Sequence, residues 1–205
     1  MSGISGEKKR AAALALHEYG LLKFGEFKLK SGIIAPFYID LRIVQSFPEA
    51  FHTITELYAE LIKDVPEGTL LAGIPEAGIP LATAVGYETN RPLIQPRAKV
   101  KDHGIGNLIE GNWQAGDNVA IIDDLVAKGD SKIEALDRFK QCNLIVEGFY
   151  LLLDREMGGK EVVEAAGYKI KAAMTITEAL TILLEEKKIE QSQYDDMISF
   201  TRSHQ

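Results

Sequence analysis

Residues 119–132 read VAIIDDLVAKGDSK, an apolar run that ends in two acids, Asp123 and Asp124, and enters a short loop before a helical pattern resumes at Ser131. A run of this kind is too brief for a helix and suits a strand buried on both faces of a parallel sheet. In an open α/β sheet, ligands bind beyond the carboxyl ends of strands, where loop amides and a helix N-terminus point outward. Gly129 supplies unusual backbone freedom, Ser131 a hydroxyl and Lys128 positive charge, so the loop is suited to wrap an anion. Asp123 and Asp124 are then expected at the rim, facing sugar hydroxyls or a hydrated metal. The alternative is that the acids solvate a turn and Ser131 caps the next helix.

Outward from this stretch, strand and helix patterns alternate. Helices are expected from Glu7 to Tyr19, Pro48 to Asp64, about Gly78 to Glu88, Ser131 to Cys142, and from Thr177 onward; short strands are expected at 69–73, 92–95, 118–122 and 146–153. Residues 23–42 alternate around Ser31-Gly32 and read as a hairpin. The order implies an α/β domain with a twisted, mainly parallel sheet flanked by helices. At 205 residues the chain suits one domain, 1–205, without internal repeat or linker.

Composition narrows the function. A net charge of -7 disfavours nucleic acid and anionic membrane as partners. No apolar run reaches the roughly 20 residues that span a bilayer, and the first residues lack a secretory pattern. The single cysteine, Cys142, forms no intramolecular disulfide, and no Cys/His cluster has zinc spacing, so a reducing cytoplasm is expected.

Residues 121–131 resemble the phosphoribosyl-pyrophosphate motif of type I phosphoribosyltransferases. The resemblance implies that Asp123 and Asp124 hold ribose hydroxyls and that Ala127, Lys128, Gly129, Asp130 and Ser131 hold the 5-phosphate. Three further stretches resemble orotate phosphoribosyltransferases: KFGEFKLKSGIIAPFYIDLR (23–42), GIPEAGIPLA (73–82) and LDREMGG (153–159). They imply a small hood over about 20–45, a pyrophosphate-side loop, and base recognition by Lys30, Tyr38 and Arg155. PRAKVKDHGIGN (96–107) resembles the family's mobile catalytic loop, about 96–112, with Arg97, Lys99, Lys101 and His103 as its basic positions and 109–111 as the return strand. Such a loop would neutralise departing pyrophosphate and exclude water.

The resemblance further implies Mg²⁺ as cofactor, held indirectly at Asp124 through water or ribose, and a homodimer sharing the loop across its interface. The expected reaction is transfer of ribose 5-phosphate from phosphoribosyl pyrophosphate to orotate. This chain departs from the pattern in places. Ala127 and Lys128 stand where many members have threonine and a small residue, Asp130 replaces a small or hydroxylated residue, Ala98 precedes Lys99 where a lysine is usual, and Glu76-Ala77 stands where some have Tyr-Lys. These departures keep open transfer to another base, or a catalytically weak regulator that binds nucleotide or phosphoribosyl pyrophosphate.

Overall fold

The computed structural model describes residues 4–28, 32–97 and 108–204. Its elements run α1 (Gly6–Glu18), β1 (Leu22–Lys28), β2 (Ile34–Ile39), a 3-10 turn (Leu41–Ser46), α2 (Pro48–Leu61), β3 (Leu70–Gly73), α3 (Gly78–Glu88), β4 (Leu93–Pro96), β5 (Ile109–Glu110), β6 (Asn118–Val126), α4 (Asp130–Gln141), β7 (Ile145–Asp154), α5 (Gly159–Ala165), β8 (Ile170–Thr175), α6 (Ile176–Glu185) and α7 (Gln191–Arg202).

Six strands form one sheet in the order β5-β4-β3-β6-β7-β8. Every pairing is parallel except β4 with β5. The apolar run of β6 is explained by its place in the middle: Ala120 and Ile122 pack into one buried cluster with α1, α2, α3, α6 and α7, while Val119 and Ile121 pack into the other with α4 and α5. Burial on both faces removes the polar alternation that a one-sided strand would show.

β1 and β2 form a separate antiparallel hairpin, with a bulge between Phe24 and Phe27. α7 closes on it through Phe200, whose ring meets Phe37 edge-on at 6.0 Å between centroids. The hood is therefore built from both ends of the chain. Among the described residues no helix is long and apolar enough to cross a membrane.

The structure corrects or completes the sequence reading at four places. β6 continues through both acids to Val126, because Asp123, Leu125 and Val126 stay in register with Leu151, Leu153 and Asp154 of β7; backbone pairing does not depend on side-chain polarity. The residue that caps α4 is Gly129, with no side-chain cap from Ser131. The C-terminal tail is two helices, α6 and α7. Between β7 and α6 lie α5 and β8, which the sequence pattern did not signal.

Candidate active site

The sheet order sets the site. From β3 the chain turns one way, to β4, and from β6 the other way, to β7, so the carboxyl ends of β3 and β6 lie side by side at the point where the winding reverses. A cleft of about 800 Å³ opens there. It is lined by the 74–77 segment after β3, by Asp123, Asp124 and Leu125 near the end of β6, by Ala127 to Lys132 after it, and by Arg42 from the hood side. Gly78 permits the approach of the two segments: a Cβ there would stand 2.6 Å from the Ile122 carbonyl oxygen and 3.0 Å from Asp123 Oδ1.

The two acids do different things. Asp123 is only 4% exposed, not at the rim as expected. Its Oδ2 accepts from Lys132 Nζ at 2.5 Å, and its backbone carbonyl accepts from the buried Tyr58 hydroxyl. Asp124 is half-buried and lines the cleft; its Oδ1 accepts from the Leu125 amide at 2.7 Å, and its carboxyl also meets that of Asp123. Burial pushes the Asp123 carboxyl up to about 7 even with Lys132 beside it, and burial raises Asp124 as well against the same lysine.

The loop from Ala127 to Ser131 lies open above the acids, with Lys128, Asp130 and Ser131 exposed. Gly129 takes φ +89, a left-handed conformation suited to glycine, and a Cβ there would meet the Gly159 carbonyl at 2.8 Å. α4 begins directly after it, so backbone amides of its first turn face the cleft mouth. Lys128 Nζ donates to the His204 carbonyl at 2.9 Å. No ion pair joins Lys128 to Asp130 among the described residues.

Tyr38 on β2 and Arg155 just after β7 lie close to each other. The Arg155 guanidinium lies 5.3 Å from the Phe37 ring centroid. Its Nε is fully enclosed and donates to nothing among the described residues. Burial lowers the Arg155 pKa, and the neighbouring Tyr38 opposes that shift. The Tyr38 hydroxyl accepts from Arg42 Nη2 at 3.1 Å, and Asp40 holds the same guanidinium at Nε (2.8 Å) and Nη2 (2.9 Å).

Tyr38, Arg155, Asp123, Asp124 and the 127–131 loop are thus brought to one end of the sheet. Arg97 is not among the cleft-lining residues: its guanidinium pairs with Glu110 on β5. Lys30, Lys99, Lys101 and His103 lie outside the described residues. Sequence reading passed over Arg42 and Lys132. A signal for Lys132 was present, since it shares the helical face of Ala135, Leu136 and Phe139, the buried stripe of α4.

No protein-family profile matches the whole or part of the chain. It is 36% identical over 181 residues to the bifunctional enzyme PyrF/PyrE of Nostoc sp., covering 88% of this chain and 38% of that protein. It is 35% identical over 184 residues to orotate phosphoribosyltransferase of Pyrobaculum islandicum, covering 89% of this chain and 94% of that protein. The solved UMP synthase of Leishmania donovani superposes with a TM-score of 0.87 at 34% identity, over 95% of this chain and 42% of that one. The chain therefore spans less than half of the two longer relatives and nearly all of the single-function one.

Proposed function

The chain belongs to the orotate phosphoribosyltransferase family, and from that premise we infer that it transfers ribose 5-phosphate from phosphoribosyl pyrophosphate to orotate, giving orotidine 5'-phosphate and pyrophosphate in pyrimidine synthesis. The observation that carries the reading is Arg155. A guanidinium whose Nε is enclosed and unpaired among the described residues, over the Phe37 ring at 5.3 Å from its centroid and next to Tyr38, is a costly arrangement for the empty protein and a ready one for a flat carboxylate.

In this reading the bond from the anomeric carbon to pyrophosphate breaks, pyrophosphate leaves with the electron pair, and the base nitrogen bonds to the carbon. The site stabilises departing charge and aligns the base. Asp124 Oδ2 accepts from ribose hydroxyls, the amides from Ala127 to Ser131 hold the 5-phosphate, and Lys101, with Arg97, Lys99 and His103, neutralises pyrophosphate. For Arg97 this requires exchanging Glu110 for the substrate. Mg²⁺ would supply charge neutralisation of the pyrophosphate oxygens. Asp124, a carboxylate lining the cleft, is the residue that would hold the ion, indirectly through water or ribose. A homodimer in a reducing cytoplasm belongs to the same reading and rests on the family resemblance and on the lone thiol of Cys142; light scattering after gel filtration tests the dimer.

The test of the reaction is loss of orotate absorbance with purified protein, Mg²⁺ and phosphoribosyl pyrophosphate, with Asp124→Asn and Lys101→Ala as controls. Turnover abolished in the controls is expected. Turnover with another base instead, or ligand binding without turnover of any base, refutes it.

A further inference from the structure

Lys132 is the third residue of α4 and belongs to its buried face, with a side chain only 4% exposed. Burying an ammonium is expensive unless a partner meets it. The partner is Asp123, 2.5 Å away and 6% exposed at its side chain. One member of the pair lies near the end of β6 and the other at the start of α4, so the ion pair ties together the two ends of the loop that would hold the 5-phosphate. Asp123 Oδ1 faces the first residue of α3, so tightly that a Cβ on Gly78 would stand 3.0 Å from it. The pair therefore braces the phosphate loop against the segment on the other wall of the cleft. With Oδ2 given to Lys132 and Oδ1 close against Gly78, Asp123 lines the cleft almost wholly enclosed, and Asp124 is the more exposed acid there.

We propose that Lys132 is a positioning residue for phosphoribosyl pyrophosphate: through its ion pair with Asp123 it sets the end of β6 so that Asp124 and the loop amides stand ready for the ribose and its phosphate. The inference rests on the transferase reading. It separates the two acids by role, Asp124 touching the sugar and Asp123 acting from behind it.

The test is calorimetric titration with phosphoribosyl pyrophosphate and Mg²⁺, together with steady-state kinetics, on wild type, Lys132→Met, Lys132→Arg, Asp123→Asn and the double variant. Misplacement of a binding group by a fraction of an ångström is expected to weaken phosphoribosyl pyrophosphate by about tenfold or more in Lys132→Met. KM for orotate should stay within about twofold, because Arg155 and Tyr38 are not touched by the pair. Lys132→Arg should recover part of the loss, and Lys132→Met should have little further effect in the Asp123→Asn background. A merely structural lysine would move melting temperature without this split between the two substrates. Unchanged affinity in Lys132→Met overturns the proposal, as does an undiminished effect in the Asp123→Asn background. Where the single variant does not fold, the double variant, which buries no unpaired charge, decides: wild-type affinity in it overturns the proposal. A wild type that binds no phosphoribosyl pyrophosphate overturns the transferase reading and this inference together; a wild type that binds it alongside an unaffected Lys132→Met overturns the inference alone.

Discussion

Replacing Arg155 with methionine should make the empty protein no less stable while disabling it. Methionine keeps the apolar stem but is shorter, and it loses the planar group that lies over Phe37. What is removed is a guanidinium whose Nε has no acceptor among the described residues and whose charge is partly desolvated. Leaving such a donor unsatisfied costs about 1–3 kcal/mol. Against that stands the lost attraction of the cation over the Phe37 ring, about 0.5–2 kcal/mol. The two nearly cancel or favour the variant. For a domain of this size each 1 kcal/mol moves Tm by about 2–4 °C, so Tm should hold within a few degrees or rise. Binding of orotate should behave oppositely: a hydrogen bond between charged partners contributes about 1.5–3 kcal/mol, a factor of roughly 10–150 in affinity. Thermal melting without ligand, alongside kinetics in which orotate and phosphoribosyl pyrophosphate are varied in turn, separates the effects. An orotate KM within twofold of wild type would refute the assignment of Arg155 to the base. A large fall in Tm, with both KM values rising together, would show that the guanidinium is instead structural.

Gly129→Ala should lose at least about 2 kcal/mol, from the left-handed backbone and from a Cβ driven against the Gly159 carbonyl, read as a Tm lower by several degrees. Tyr58→Phe removes the buried donor to the Asp123 carbonyl and should cost about 1–2 kcal/mol in denaturant unfolding, with an unchanged m-value. Lys132→Met should have a stability deficit that widens as pH rises above 7. The sign follows from linkage: Asp123 has a folded pKa raised to about 7, so ionising it erodes stability as pH climbs from the unfolded carboxylate value toward 7 and no further. Without Lys132 the folded pKa goes higher still, and the erosion continues past 7; parallel Tm-versus-pH curves for variant and wild type above that pH would refute this.

The sequence made the fold legible where burial alone determines the pattern. The unbroken apolar run in 119–122 means a strand covered on both faces, and the two clusters on either side of β6 are the reason. Legibility failed where pairing or capping overrides the side chain. Asp123 and Asp124 look like a strand terminus, yet β7 supplies backbone partners through Asp154. β8 carries Ala172, Ala173 and Lys171, residues with weak strand preference, and is held by its neighbour β7 and by its place at the sheet edge.

The same division runs through the site, and it explains why the role of Lys132 cannot be read from its own stretch of sequence alone. Each strand end can be located from its own residues, but a cleft forms only where two ends become neighbours, and that depends on strand order. Placing β3 beside β6 sets the 74–77 segment against the acids and leaves Asp123 almost wholly enclosed. Once enclosed there, a carboxylate needs a cation from an element close enough to reach it, and the first turn of α4 is that element. A lysine in an otherwise apolar helical stripe is thus the local trace of a charge buried elsewhere in the chain, and the search for its partner should start at the acid-bearing end of the preceding strand.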